Sequence, residues 1–378
     1  MAFPEKNMEE PSPTPQILTQ NPSLSDYLII SCLARVPRLY YPTLSLVSKR
    51  FRSLVSLLAS LEALELAKAR SMLRHSGHRL YVCLKSSNEC RLFTLDRRPD
   101  QTLTNKEKNM SSRFVLVTVP TIRSLRDGFS SLVAVGSHLY NIGSGSSYYN
   151  EPSSSVSVLD CRSHTWHEGT RMRVEVMPLT VAVLDRKIYV AGIREDSYED
   201  VFEVLDTETQ TWDHVPLPYR TSGNYFYGAA RSACINGKIH VITEDDTFCY
   251  NPKEGRWDQR EMSLFYQNAY CKIENACYSA SRGVFRWNDG KDCWWRDLKG
   301  LVGLHSLFQG GGVRMVDYGG NMVVLWDETL RGEKRIWCAE ISLERCKNRE
   351  IWAKVEWVDH ILTVPTNYHS MNVVVATV

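Results

Sequence analysis

Cys161, His164 and His167 offer one thiolate and two imidazoles, a donor set that suits zinc. Their placement speaks against such a site. They straddle a turn ahead of Trp166, and side chains alternate in direction once the following strand begins. Cys271 and Cys277 have no matching second pair, and none of the eleven cysteines forms a C-x-x-C. Tyrosine is abundant, at 18 residues, but a copper-radical oxidase would need Tyr, Cys and His to converge on one axis. Nothing in the order of residues brings them there. The stretch "GSGSS" at 143–147 follows a strand and opens no helix, so it reads as a loop and not as a phosphate cradle. No G-x-x-x-x-G-K-[ST], H-E-x-x-H or G-x-S-x-G is present. The expectation is a non-enzyme with no catalytic residue, no metal and no cofactor.

Surfaces must then carry the function, and composition narrows which ones. The 378 residues are too many for a single ordinary core, which points to two domains. A hydrophobic fraction of 43% and a charged fraction of 23% are those of a globular chain. A net charge of +2 excludes a strongly electrostatic nucleic-acid binder. The cations Lys49, Arg50 and Arg52 read as the wet side of a helix. No apolar run approaches the ~18 residues that span a bilayer. Residues 1–20 lack an apolar signal core, and the cysteine count is odd, so reduced thiols in cytoplasm or nucleus are expected.

Residues 1–22 hold Pro4, Pro11, Pro13, Pro15 and Pro22 among polar neighbours, the composition of a disordered tail. Residues 23–75 read as helical. Leu24, Leu28 and Leu33 form a first stripe, with Ser23 or Ser25 as N-cap and Asp26 in the first turn. Pro37 ends that helix and Pro42 sits where a second can begin. The second carries Leu44, Val47, Phe51 and Leu54 at intervals of three, four and three, one helical face. A third stretch, "SLEALELAKARSMLR", has Glu62 and Glu65 early and Lys68, Arg70 and Arg74 late, which complements the helix dipole.

Beyond residue 78 the period turns strand-like and a repeat emerges. "VSVLDCRSHTW", "FEVLDTETQTW", "TFCYNPKEGRW" and "VFRWNDGKDCW" end at Trp166, Trp212, Trp257 and Trp294. In each, an Asp or Asn (Asp160, Asp206, Asn251, Asn288) lies six residues before the Trp. Trp-to-Trp spacings of 46, 45 and 37 residues indicate a propeller or array. One four-stranded blade exposes two apolar faces, and stacking blades around an axis buries them, with the Trp as wedge. Six blades are expected over 79–378, including a degenerate fifth at 268–299 and a longer sixth at 312–362. The first, at 79–120, offers three strands, and the apolar strand 369–378 is expected to close it.

These units resemble kelch repeats, and the layout resembles the plant F-box/kelch-repeat proteins. The glycine pair that usually closes the second strand is reduced to Gly143 and Gly192. The N-terminal segment looks like an F-box at Leu24, Leu28, Leu33, Ala34, Arg35, Val36, Leu44, Val47, Ser48, Lys49, Phe51 and Leu54, most specifically in "LVSKRFRSLV". Ser25, Asp26 and Tyr27 stand where the family usually has a proline and an acidic pair. The fold expected is mainly β, a six-bladed kelch-type propeller behind a small all-α F-box domain.

The resemblance implies the substrate-recognition subunit of a Skp–cullin–F-box ubiquitin ligase. Leu24, Leu28, Leu33, Val36, Leu44, Val47, Phe51 and Leu54 would dock a Skp-family adaptor and, through it, a cullin. The propeller would hold a protein target for ubiquitination. The alternative is a kelch scaffold without ligase function whose helices cap the ring. Strand parity puts the turns after second and fourth strands on one face, and these are longer and richer in aromatics and Arg. Tyr148, Tyr149, Arg194, Arg220, Asn224, Tyr225, Phe226 and Tyr227 are the residues expected to touch the target. The polar insertion at 99–113 falls on the opposite face.

Overall fold

The computed structural model describes residues 25–33, 41–59, 77–86, 89–97, 113–120, 131–143, 153–194, 196–197, 199–217, 226, 231–243, 247–260, 269–281, 283–289, 294–301, 312–346 and 350–378. The proposed tail, the stretch 60–74 and most of the 99–113 insertion lie outside them. Three helices come first: α1 (Asp26–Leu33), α2 (Tyr41–Val47) and α3 (Lys49–Ala59). Ser25 caps α1, its Oγ accepting Leu28 N–H at 3.4 Å and its carbonyl accepting Ile29 N–H at 3.1 Å. The spacing predicts one helix through Leu44–Leu54, and here the fold differs. Ser48 interrupts it as the N-cap of α3, with Oγ accepting Phe51 N–H at 3.1 Å. A serine that can satisfy an orphan amide is neutral inside a helix and favourable at its start, so the chain breaks there.

The strands form six four-stranded antiparallel sheets. Blade 1 holds β1 (His78–Ser86), β2 (Cys90–Arg97) and β3 (Phe114–Thr118), with β24 (Tyr368–Thr377) as its inner strand. Blade 2 is β4 (Leu132–Val135), β5 (His138–Ile142), β6 (Val156–Asp160) and β7 (Thr165–Glu168). Blade 3 is β8 (Val176–Leu184), β9 (Lys187–Arg194), β10 (Asp200–Asp206) and β11 (Thr211–His214). Blade 4 is β12 (Arg231–Ile235), β13 (Lys238–Ile242), β14 (Thr247–Asn251) and β15 (Arg256–Arg260). Blade 5 is β16 (Ala269–Ile273), β17 (Ala276–Ser281), β18 (Val284–Asn288) and β19 (Arg296–Asp297). Blade 6 is β20 (Arg314–Tyr318), β21 (Asn321–Leu330), β22 (Glu333–Arg345) and β23 (Ile351–Pro365). Inner strands touch in the order β20, β24, β4, β8 and β12, with β16 against β20.

Each seam between blades has its own apolar cluster, because an alternating strand sends every second side chain to each neighbour. The seam of blades 2 and 3 gathers Ile142, Val158, Ile188, Val190, Leu205 and Trp212. Among the described residues the seam of blades 4 and 5 is the smallest, with Ala233, Ile235 and Cys277 buried.

The six-residue step from Asp to Trp has a local cause. Asp160 Oδ1 accepts Arg162 N–H at 2.8 Å, and Asp206 Oδ1 accepts Glu208 N–H at 2.9 Å. Asn251 does the same for Lys253 at 3.2 Å. Two residues before each Trp the chain turns left-handed, at His164 (φ 57), Gln210 (φ 59) and Gly255 (φ 63). The following Trp then donates its Nε1–H to the linker from the preceding blade: Trp166 to Pro120 O at 2.9 Å, Trp212 to Thr170 O at 2.8 Å, Trp257 to Pro216 O at 3.1 Å. Trp294 departs from this scheme. It is exposed, and Trp295 packs into the seam of blades 4 and 5 in its place.

Candidate functional site

The helical unit closes a core of its own. Ile29, Leu33, Tyr41, Leu54 and Val55 are buried, with Ile30, Leu44 and Phe51 packed at the margin. Among the described residues this cluster has no propeller member. Tyr41 donates its hydroxyl to Leu33 O at 3.2 Å, satisfying a terminal carbonyl of α1. Arg50 reaches Asp26 at 2.6 Å and ties the start of α3 to the start of α1. Leu33 and Leu54 are therefore interior and do not face a partner, a correction to their expected role. For Leu54 the reason is that its stripe crosses the Ser48 break, so the members no longer share one helical face; Leu33 closes the same core from the end of α1. Leu44 and Phe51 are half-buried. Leu28 and Val47 are exposed, and the structure adds Leu46 and Leu57 to them. Leu46 is the most open of the four, at 76%. Leu24 and Val36 lie outside the described residues.

On the ring, His78 pairs with Thr377, and this end of blade 1 adjoins Gly136 and Gly319 in the first hairpin turns of blades 2 and 6. The chain therefore enters and leaves the propeller on the face of the tight first turns. The longer connections leave the opposite face. Arg194 lies there, at the end of β9. It forks onto Asp196 through Nε (3.0 Å) and Nη2 (2.8 Å), while its amide donates to Glu199 O at 2.9 Å. Phe226 is a correction to the expected target contact: it is fully buried, edge-on to Phe248 and tilted against Phe202 and Trp257. Its amide donates to Asp200 Oδ1 at 3.1 Å. In "YRTSGNYFYG" the Phe plugs the seam of blades 3 and 4 because that seam needs a large apolar ring between Phe202 and Phe248. Tyr148, Tyr149, Arg220, Asn224, Tyr225 and Tyr227 lie outside the described residues.

The metal-type residues diverge. Cys161 is buried, and burial pushes its thiol up to about 12, against the thiolate a metal needs. His164 Nε2 lies 3.0 Å from both Arg79 Nη1 and Tyr81 Oη. His167 turns away to meet the His138 ring edge-on at 6.4 Å. Among the described residues no group of three or more His, Cys, Asp or Glu could hold a metal ion. A cleft of about 670 Å³ opens between blades 2 and 3 beside His138, Arg162, His167, Arg186 and Glu208. Its charges are mixed, and Arg186 is already paired with Glu208 at 2.6 Å.

Comparison with known proteins follows the same division. The family model described as "FKB95, Kelch-repeats domain" matches residues 92–362, and the F-box domain model matches residues 22–62. The F-box/kelch-repeat protein At5g51250 of Arabidopsis thaliana is 49% identical over 366 residues, covering 92% of this chain and 97% of the relative. The F-box/kelch-repeat protein At4g39550 of the same plant is 45% identical over 394 residues, covering 97% of each.

Proposed function

The chain belongs to the F-box/kelch-repeat family, whose layout is that of substrate adaptors, and from that premise we propose a substrate receptor of a Skp–cullin–F-box ubiquitin ligase. The helical unit docks a Skp-family adaptor, and the propeller face away from the chain's entry holds a protein for ubiquitination. Chemistry belongs to other subunits.

One observation carries this reading. The helices already have a closed core, yet Leu28, Leu46, Val47 and Leu57 remain in solvent. Four large apolar side chains, at ~1.5–3 kcal/mol each when fully buried, supply roughly 6–12 kcal/mol of gross drive to a partner. Association costs offset much of this, so other contacts of the helical unit must add to these four.

Co-expression of the full chain with a Skp-family adaptor tests it. The adaptor co-purifies with the parent chain and is lost from the double variant Leu46→Asp, Val47→Asp, whose thermal transition stays unchanged because both positions are exposed. An adaptor retained by that variant, or never bound by the parent, removes the ligase reading and leaves a scaffold.

A further inference from the structure

Blade 6 overhangs the ring. Its strands β21, β22 and β23 run 10, 13 and 15 residues, while its inner strand β20 has 5. β20 pairs with β21 no further than Arg314 opposite Leu325. β22 continues alongside β21 to Glu333 opposite Leu330, and β23 continues alongside β22 to Pro365. The result is a three-stranded arm that rises on the face of the long connections.

Hairpin geometry fixes which backbone groups the arm leaves open. Arg331 and Gly332 turn with φ of 52° and 83°, a two-residue type I′ turn, so the flanking Leu330 and Glu333 exchange hydrogen bonds. Gly319 and Gly320 (φ 66° and 92°) likewise join a bonded pair, Tyr318 and Asn321. Even-numbered residues of β21 thus bond to β22 and odd-numbered ones to β20. Asp327 and Thr329 continue the odd series where β20 has ended. Their N–H and C=O groups point off the arm on the side of the ring axis, and no described residue pairs with them.

The arm is braced. Trp326 and Trp337 stack at 6.2 Å, Asp327 pairs with Lys334 at 2.9 Å, and Ile336, Ile361 and Val364 are buried against blade 1. Of the two carboxylates in the overhanging stretch Trp326–Leu330, Asp327 is taken up by Lys334, while Glu328 stands opposite Arg335 of β22 and accepts Trp337 Nε1–H at 3.3 Å through Oε2, with its other oxygen left to a further cation. Glu328 and Leu330 are exposed and share one side of the sheet.

We infer that this edge receives an extended segment of the target as a fourth strand, with a Lys or Arg beside Glu328 and an apolar side chain two residues away beside Leu330. The backbone gives the affinity, and the acid and the leucine give the selectivity. This rests on the reading that the same face holds the target.

Hydrogen exchange on the full-length chain tests the edge. Asp327 and Thr329 amides exchange on the order of 100-fold faster than those of Glu328 and Leu330, as open groups do beside bonded ones. Four amides protected alike, or protection that grows with protein concentration as a second copy pairs there, overturns the inference. A displayed library of random short peptides is the binding probe. Selected peptides carry a basic and an apolar residue two apart and slow exchange at Asp327 and Thr329. They weaken about tenfold with Thr329→Pro, as loss of a backbone hydrogen bond implies. N-methylation of alternate peptide amides produces the same loss with the protein untouched. Peptides indifferent to both changes overturn the inference. Adaptor binding is measured on the same samples, and its survival then leaves the receptor reading standing without this edge.

Discussion

Glu203 occupies a position on β10 that the pattern of its neighbours reserves for an apolar side chain. Val201 and Leu205, two residues to either side, belong to the seam of blades 2 and 3, and Glu203 between them is 2% exposed. Its Oε2 has no partner among the described residues. Burial raises its pKa, and an N–H bond from Arg173 offsets this in part. A carboxyl that holds its proton more tightly when folded loses stability as pH rises, from the unfolded value of about 4.3 up through the raised folded one. Glu203→Gln keeps the shape and removes the ionisation. Thermal melting from pH 4 to pH 7 should show the variant gaining on the parent as pH rises; parallel curves would mean the carboxyl is accommodated in its charged form. The sequence showed an acid in a strand but not this burial, because register decides which side of a sheet a residue meets. The Asp-to-Trp step was readable for the opposite reason: turn and wedge are both set within one short stretch of chain.

At the scale of elements, Ser48 decides the shape of the helical unit. Its hydroxyl starts α3, and the break it makes turns Leu54 inward while leaving Val47 outside. Ser48→Ala should cost about 1 kcal/mol of helical-unit stability. Ser48→Asp should cost little, since aspartate caps equally well and its charge suits the helix start. Urea titration followed by far-ultraviolet circular dichroism distinguishes the two; equal losses would show that the hydroxyl is not acting as a cap. A stripe at three- and four-residue intervals is legible across such a break because both helices obey the same period. The break itself is signalled by one serine, which also occurs within helices. Blade 5 taught the same lesson. Trp294 kept the spacing of the repeat while its neighbour Trp295 took the seam, because the turn here is two residues longer and Arg296, not Trp294, pairs opposite Trp287.

For the whole molecule, the repeat revealed a ring, and the unmatched strands at its two ends showed where it joins. β24 supplies Tyr368, Met371 and Val373 to the seam of blades 6 and 1 and Ala376 to that of blades 1 and 2. The tyrosine hydroxyl also bonds Glu89. Deleting Tyr368–Val378 should abolish a single cooperative melting transition and expose the edge of β1 to aggregation. A truncated chain that melts like its parent would mean the blades hold without closure. Which side chains meet a target was far less legible, since surface loops answer to a partner and not to the period of the fold. Closure by the last strand also has a consequence in time. A ribosome releases this chain from its first residue to its last, so the seams of blades 2 to 5 can form while the gap beside β1 is still waiting. A stop anywhere ahead of β24 therefore leaves an open crescent for the cell's quality control to find.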